Sequence, residues 1–500
     1  MNRTLYILIL TAMFFFNQKK SGAQNYHETI DNIAFENQLI GMSVAVVCNG
    51  SISDIHNYGK ADLNRNIAVT DSTMFRIASI SKSVTATALM KLFEEGLFGL
   101  DDNVSDYLGF NLYNPQYPSQ SITFRMLLSH TSGLSDGSGY SPFLSATANQ
   151  NPPPHISQLL TPGGLYYTSD MWLSREPGSW FSYANVNFGV IGTLIERLSG
   201  VRFDIFVREN ILLPLGIHGS FNISDIGNIN NVAVLYRNSI PQADNYQGIA
   251  PPPRDLSQYN IGTNGLIFSP QGGLRISAAD LCNFMIMQAS GGKWNNTTIL
   301  DSTTINLMHQ TQWDYNGSNG NNYYNLFRRW GLGFHLTTNT LSGDIVIPGT
   351  PMTGHPGEAY GLISDMYFEK VKQFGLIFIT NGYSGSAGYA WGNYSAFYLP
   401  EEQIFNAIRQ FQFNGCFPVS VQEEPDHQET TPIRYNIGLN QLEIEPQIKN
   451  GTLKLYDITG RLCFSIKINK PTVQLPALDK GIYIARIMSS AGNMGCSIVL

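Results

Sequence analysis

Apolar positions first organise this chain at Met42 to Cys48, an almost unbroken apolar run that reads as a strand. Asn49-Gly50 follows, and a second strand runs from Ser51 towards Tyr58. Asn-Gly between two such runs predicts a hairpin, because both residues tolerate the positive φ of a type I′ turn. The spacing then becomes helical. Val84, Ala88 and Leu92, with Leu89 and Phe93, share one face of a helix predicted over Ser79 to Glu95 and stopped at Gly96. Val190, Ile191, Leu194 and Ile195 mark a second helix, Val186 to Leu198, ahead of Gly200. A third begins at Ser277, where Ser277 and Asp280 have capping-box spacing, and ends at Gly291-Gly292. Strand patterning returns beyond Gly331, in Gly361 to Phe368 and Phe374 to Thr380. Sheet at both ends with helices between predicts an α/β-mixed (α+β) domain whose terminal strands join in one antiparallel sheet flanked by helices.

The pattern fades from Cys416 to Pro432, where Pro, Glu, Gln and Thr carry little apolar periodicity and a linker is expected. After it Leu453, Leu455, Ile466, Ile468, Ile482 and Ile484 alternate with polar residues, with turns at Gly460 and at Asp479 to Gly481. A small β-sandwich is the expectation there. At the other end Arg3, the apolar run Thr4 to Phe16 and Ser21-Gly22-Ala23 before Gln24 have the layout of an export signal. That run is short for a bilayer span and no other of spanning length follows, so no transmembrane anchor is expected in the mature chain. The expected division is 1–23 signal, 24–412 main α/β-mixed domain, 413–433 linker and 434–500 terminal β-module.

Composition changes this picture in two ways. Only 13% of the 500 residues are charged, so the surface must rely on Asn, Ser, Thr, Gly and Tyr, which suits an extracellular protein. The net charge of −7, without a basic stripe, gives no electrostatic reason to expect nucleic acid or an anionic membrane as partner. The cysteines, Cys48, Cys282, Cys416, Cys463 and Cys496, are scattered, with no spacing that fits a zinc site. Cys48 ends an apolar strand and is expected to be a buried free thiol, while a Cys463–Cys496 bridge is one option.

Candidate chemistry begins at Ser79-Ile80-Ser81-Lys82. Positions three apart share a helix face, so the Lys82 amine could reach the Ser79 hydroxyl, at a helix start whose N–H groups favour developing negative charge. Ser290-Gly291-Gly292-Lys293 has the same spacing, but its paired glycines deny it a rigid face. On spacing alone an ordinary helix cap is the plainer reading of Ser79. Tyr183-Ala184-Asn185, just before the second helix, offers a phenol to relay a proton and a carboxamide to hold a substrate amide; the plainer alternative is a core tyrosine and a capping asparagine. Tyr323-Tyr324-Asn325 repeats that pattern in a loop. Gly354-His355-Pro356-Gly357 lies between strand-like segments, where it could line a cleft or form a turn with a surface histidine.

Five segments in order narrow these options: Phe75 to Lys82 (FRIASISK), Leu127 to Leu134 (LLSHTSGL), Pro177 to Asn185 (PGSWFSYAN), Gly272-Gly273-Leu274 before Asp280, and His355-Pro356-Gly357. Together they resemble the serine β-lactamase and penicillin-binding-protein family, and more closely its branch of class C β-lactamases, D-alanyl-D-alanine peptidases, D-aminopeptidases and esterases. The resemblance covers about residues 27 to 410. It implies that Ser79 is acylated, that Lys82 accepts its proton, and that Tyr183 works with Lys82 in passing that proton to the leaving group. It further implies that Asn185 holds a substrate amide, that His355 and Gly357 line the cleft, and that the N–H groups of Ser79 and Glu358 form the oxyanion hole. His130 and Gly133 look structural in this family. No cofactor and no metal is implied; the partner is a small peptide, ester or β-lactam.

Two departures bear on substrate. His355-Pro356-Gly357 stands where β-lactamases of this type usually carry Lys-Thr-Gly: a histidine of reference pKa about 6.5 would hold a carboxylate less firmly than lysine, and Pro356 removes a hydroxyl and an N–H that other members possess. Glu358 adds an acid that would attract a substrate's free amine or else point to solvent. A D-peptidase or esterase is therefore the leading expectation, with a true β-lactamase, or a penicillin-binding sensor that is acylated without turnover, as alternatives. Finally, Leu453 to Asp457, Leu478 to Tyr483 (LDKGIY) and Ile498-Val499-Leu500 resemble the sorting domain of type IX secretion, which implies that machinery as a partner and a secreted or cell-surface location.

Overall fold

The structure, a computed structural model, describes residues 25–413, Cys416 and separate stretches between 433 and 499. The expected export signal and nearly all of the expected linker lie outside the described residues. The chain divides into two compact units, one ending at Pro418 and one beginning at Val419.

Among the described residues the first unit is built on a nine-stranded sheet: β1 (Gly41–Cys48), β2 (Ser51–Asp62), β3 (Ile67–Ala68), β4 (Trp313–Asp314), β5 (Arg329–Trp330), β6 (His335–Leu336), β7 (Thr353–Ala359), β8 (Leu362–Glu369) and β9 (Phe374–Thr380), in the order β4-β5-β6-β7-β8-β9-β1-β2-β3. The expected joining of the terminal strands is present: β1 pairs antiparallel with β9, Met42 opposite Thr380 and Val47 opposite Gly375. The hairpin is also where Asn-Gly places it, with φ of 50° at Asn49 and 70° at Gly50.

Side-chain alternation sends the strands' residues into two cores. Ala45, Val47, Met366, Phe368, Ile377 and Ile379 pack with the main body of helices. Met42, Val44, Val46, Tyr367, Leu376 and Phe378 pack with Tyr26 and Ile30, from a helix over 25–36, and with Ile404 and Phe405. Covering both faces is why β1 and β9 read as apolar runs and not as alternating ones.

Four helices carry the argument: α1 (Ser81–Glu94), α2 (Val186–Ser199), α3 (Ala278–Ala289) and α4 (Leu399–Ile408). α1 starts two residues later than its periodicity predicts, because Ala78–Ile80 form a 3-10 turn that holds Ser79 ahead of the helix. It is also buried on all sides from Ser81 to Met90, not on one face. Its polar side chains are satisfied inside: Ser83 donates to the Gly333 carbonyl and Thr85 to that of Pro270, both at 2.8 Å. At α3 the capping box is half formed. Ser277 accepts the Asp280 N–H at 3.0 Å, but the Asp280 carboxylate receives the His218 N–H instead.

The cysteine reading needs correction. Cys48, at the end of β1, is joined to Cys416 by a disulfide with a Cα separation of 5.2 Å. The partner lies 368 residues away, and no local pattern could reveal it. Cys282 is a buried thiol. The Cys496 side chain of the other proposed bridge lies outside the described residues.

In the second unit Ile433–Asn436, Gln441–Ile444 and Thr472–Gln474 form one sheet, and Leu462–Lys467, Thr452–Asp457, Ile482–Ser489 and Gly492–Val499 another. Leu442, Ile444, Leu453 and Leu455 are buried. The turns expected at Gly460 and Asp479 to Gly481 lie outside the described residues.

Candidate active site

Ser79 lies where the 3-10 turn meets α1, and Lys82 one turn later is completely buried. The Lys82 ammonium donates to the Ser79 hydroxyl at 3.0 Å, to the Asn185 carboxamide oxygen at 2.8 Å and to the Gln271 carbonyl at 2.7 Å. Burial pulls its pKa down to about 7, while the Asp136 carboxylate works in the opposite direction. A buried amine that can be neutral near pH 7 and touches a serine hydroxyl is equipped to take the serine's proton.

Tyr183 faces the same amine, its ring centroid 4.8 Å from Lys82 Nζ. Burial holds its phenol well above the ordinary range, with Ser79 pulling the other way. The Tyr183 hydroxyl is nevertheless buried without a partner at full hydrogen-bond geometry. His130 fixes this loop: its ring stacks on Tyr183 at 4.3 Å, its Nδ1 accepts the Ala184 N–H and its carbonyl accepts the Ser182 N–H. It does so from a left-handed backbone, φ 55°, that is uncommon for histidine.

Asn185 is more constrained than its expected role requires. Its Oδ1 serves Lys82, and its Nδ2 donates to Asp136 at 2.8 Å. Asp136 also accepts the backbone N–H groups of Asn185 and Val186, both at 2.9 Å, and so caps α2. The sequence reading missed Asp136. Its only signal was an acid two residues past the Ser-His-Thr-Ser-Gly-Leu run, and nothing local ties it to residues 49 positions on.

His355 is corrected most. It is completely buried and is not among the residues lining the cleft. Burial, with Lys82 nearby, holds its pKa well below 6.5, and its Nδ1–H donates to the Pro356 carbonyl at 2.6 Å. A neutral imidazole in this setting is no receptor for a substrate carboxylate. Gly357 is required by packing, since a Cβ there would stand 2.6 Å from the Ile77 carbonyl oxygen and 2.4 Å from Ser364 Oγ. Its absence lets β7 lie against the turn that carries Ser79.

Ser79, Tyr183, Asn185, Pro356, Gly357 and Glu358 line one cavity of about 340 Å³. Glu358 runs along its wall, accepting the Tyr398 hydroxyl at 3.1 Å. The apparent decoy Tyr323-Tyr324-Asn325 belongs here too. Tyr323 and Tyr324 line the cavity, and the Tyr323 hydroxyl donates to the Tyr183 carbonyl at 2.8 Å. By contrast, Ser290 and Lys293 are separated by Gly291 and Gly292, both with positive φ, and Lys293 is exposed.

The chain is similar to known proteins over most of its length. The profile of the Beta-lactamase family matches residues 26–396. Penicillin-binding protein 4 of Amycolatopsis lactamdurans is 26% identical over 379 residues, 72% of this chain and 85% of that protein. Penicillin-binding protein 4* of Bacillus subtilis is 28% identical over 40% of this chain, and the match spans 42% of its own length. Among solved structures, the octameric penicillin-binding protein homologue from Pyrococcus abyssi has a TM-score of 0.58 at 18% identity, over 95% of this chain and 90% of that one. The D-amino acid amidase from Ochrobactrum anthropi SV3 has a TM-score of 0.55 at 18% identity, over 77% and 97%. At those identities the structures show the fold, a mixed helical and antiparallel β-lactamase/transpeptidase architecture, and the profile over most of the chain shows the lineage: this protein belongs to the Beta-lactamase family.

Proposed function

We propose that this protein is an exported serine hydrolase that works through an acyl-enzyme at Ser79 on D-amino-acid peptides or esters. The observation that carries the reading is the completely buried Lys82, its pKa lowered to about 7, hydrogen-bonded to the Ser79 hydroxyl. Neutral Lys82 takes the hydroxyl proton as Ser79 Oγ attacks the substrate carbonyl, and negative charge develops on the carbonyl oxygen. The N–H groups of Ser79 and Glu358 receive that charge, a stabilisation of roughly 3 to 4 kcal/mol per donor in such sites. Tyr183, protonated and unpartnered at its hydroxyl, delivers a proton to the leaving group and is replenished from Lys82. Water then enters, loses a proton to the same pair and attacks the acyl carbon; the bond to Ser79 Oγ breaks as the pair returns that proton to it, releasing the acid and free Ser79.

The cavity has no lysine, arginine or histidine among its lining residues, which favours a peptidase or esterase over an enzyme built to grip a β-lactam carboxylate. The Cys48–Cys416 disulfide supports export to an oxidising compartment. We extend the proposal to the second unit as a type IX sorting domain that delivers the hydrolase to the cell surface.

The test is a screen of D-amino-acid p-nitroanilides, p-nitrophenyl esters and nitrocefin with the purified full chain, alongside fluorophosphonate labelling. Labelling that maps to Ser79, with ester or D-peptide turnover absent in Ser79→Ala, is the expected result. Failure of Ser79 to label removes the catalytic reading; rapid nitrocefin turnover replaces it with a β-lactamase.

A further inference from the structure

The cavity continues past the reacting groups to an acidic, aromatic end. β6 pairs with β7 only at Gly354 and Thr353, so beyond them that edge of β7 is open to the cavity. Pro356 and Glu358 both line it. The Glu358 carboxylate is drawn along the wall by Tyr398, and Trp391 stacks on Tyr398 at 4.8 Å. Tyr324, 84% exposed, and Trp391, 60% exposed, present their rings at the mouth.

Charge decides what this end would accept. The ionisable carboxyl groups lining the cavity are Glu358 and Glu401, with no cation beside them. Glu401 is buried against Asp365, and burial pushes its pKa up to about 8 and that of Asp365 well above its usual value. That pair therefore retains a proton at neutral pH, and Glu358 is the exposed carboxylate. It has no ion-pair partner among the described residues. A carboxylate in an aromatic-lined cavity attracts an ammonium group, whereas a substrate carboxylate would meet no counter-charge.

We infer that Glu358, with Tyr398, Trp391 and Tyr324, forms a subsite for the free α-ammonium of the substrate's acyl part, so that the enzyme selects amino-acid amides and esters with an unblocked amine. The inference rests on the acyl-transfer reading above. With the Glu358 N–H about 3 Å from the reacting carbonyl oxygen, the α-amine of the same acyl group falls within reach of that residue's side chain.

The test compares D-phenylalanine amide with 3-phenylpropionamide, which lacks only the amine, as competitors of fluorophosphonate labelling of Ser79 in the full chain. The amine-bearing amide is expected to halve the labelling rate at a concentration at least about tenfold lower. In Glu358→Gln that ratio should fall below about threefold, and Glu358→Asp should retain most of it. Because the readout is a ratio within each variant, a general loss of reactivity cancels. Equal concentrations in the native chain, or a ratio unchanged in Glu358→Gln, overturns the subsite while leaving Ser79 in place. Absence of Ser79 labelling overturns the acylation reading and the subsite with it.

Discussion

The Asp136 carboxylate receives two N–H groups of Asn185, the backbone one at 2.9 Å and one of the side-chain amide at 2.8 Å. One acid thereby caps α2 and turns the Asn185 oxygen towards Lys82, whose pKa its charge raises.

Asp136→Asn removes that charge. Lys82 should then lose its proton more readily, so the acidic limb of kcat/KM, expected near pH 7 in the native chain, should move to lower pH. Asp136→Ala should in addition cost about 1 to 2 kcal/mol in urea denaturation, the usual cost of a lost cap. An unshifted limb in Asp136→Asn would show that Asp136 only caps.

Lys82→Met should reduce acylation by roughly 10² to 10⁴-fold, the range for loss of a general base. It should also raise the melting temperature. The folded pKa of about 7 lies below the ordinary lysine value of about 10.5, so the unfolded chain binds the extra proton between those values and native stability increases as pH rises across that window. The cost of the buried ammonium is complete below pH 7. The gain from Lys82→Met, read by differential scanning calorimetry, should therefore be larger at pH 6 than at pH 10.

Gly357→Ala would place a methyl 2.6 Å from the Ile77 carbonyl oxygen and 3.1 Å from the Ser79 nitrogen. β7 must retreat from the turn that presents Ser79, and displacements of about 1 Å at such sites cost on the order of 10²-fold in rate. Far-ultraviolet circular dichroism should remain native while kcat/KM falls.

Cys416→Ser cuts the bridge between the end of β1 and the segment after α4. A loss of about 2 to 4 kcal/mol is expected in guanidinium melts. Dithiothreitol should reproduce it in the native chain and have little further effect on the variant.

His355 shows where sequence reasoning reaches its limit. As a lone residue between glycine and proline it read as a half-charged cleft residue. In the fold it is sealed beneath Tyr183 and Trp330, with ring centroids 6.0 and 5.3 Å away, and burial keeps its ring from taking a second proton near neutral pH. Tyr323 is the opposite case: read only as a repeat of the Tyr183 pattern in a loop, it braces that very residue.

What the sequence determined by itself is whatever local geometry controls. Asn49-Gly50 dictated a turn through its positive φ, the 3.6-residue period located α1 and α2, the Ser277 cap located α3, and the interval from Ser79 to Lys82 allowed that lysine to reach that serine. Only the tertiary structure decided the chemistry of those groups. The pKa of Lys82, the neutrality of His355, the grip of Asp136 on Asn185 and the meeting of Glu358 with Tyr398 depend on desolvation and on contacts between distant segments. Such contacts are set by how the layers pack, and no window along the chain contains them.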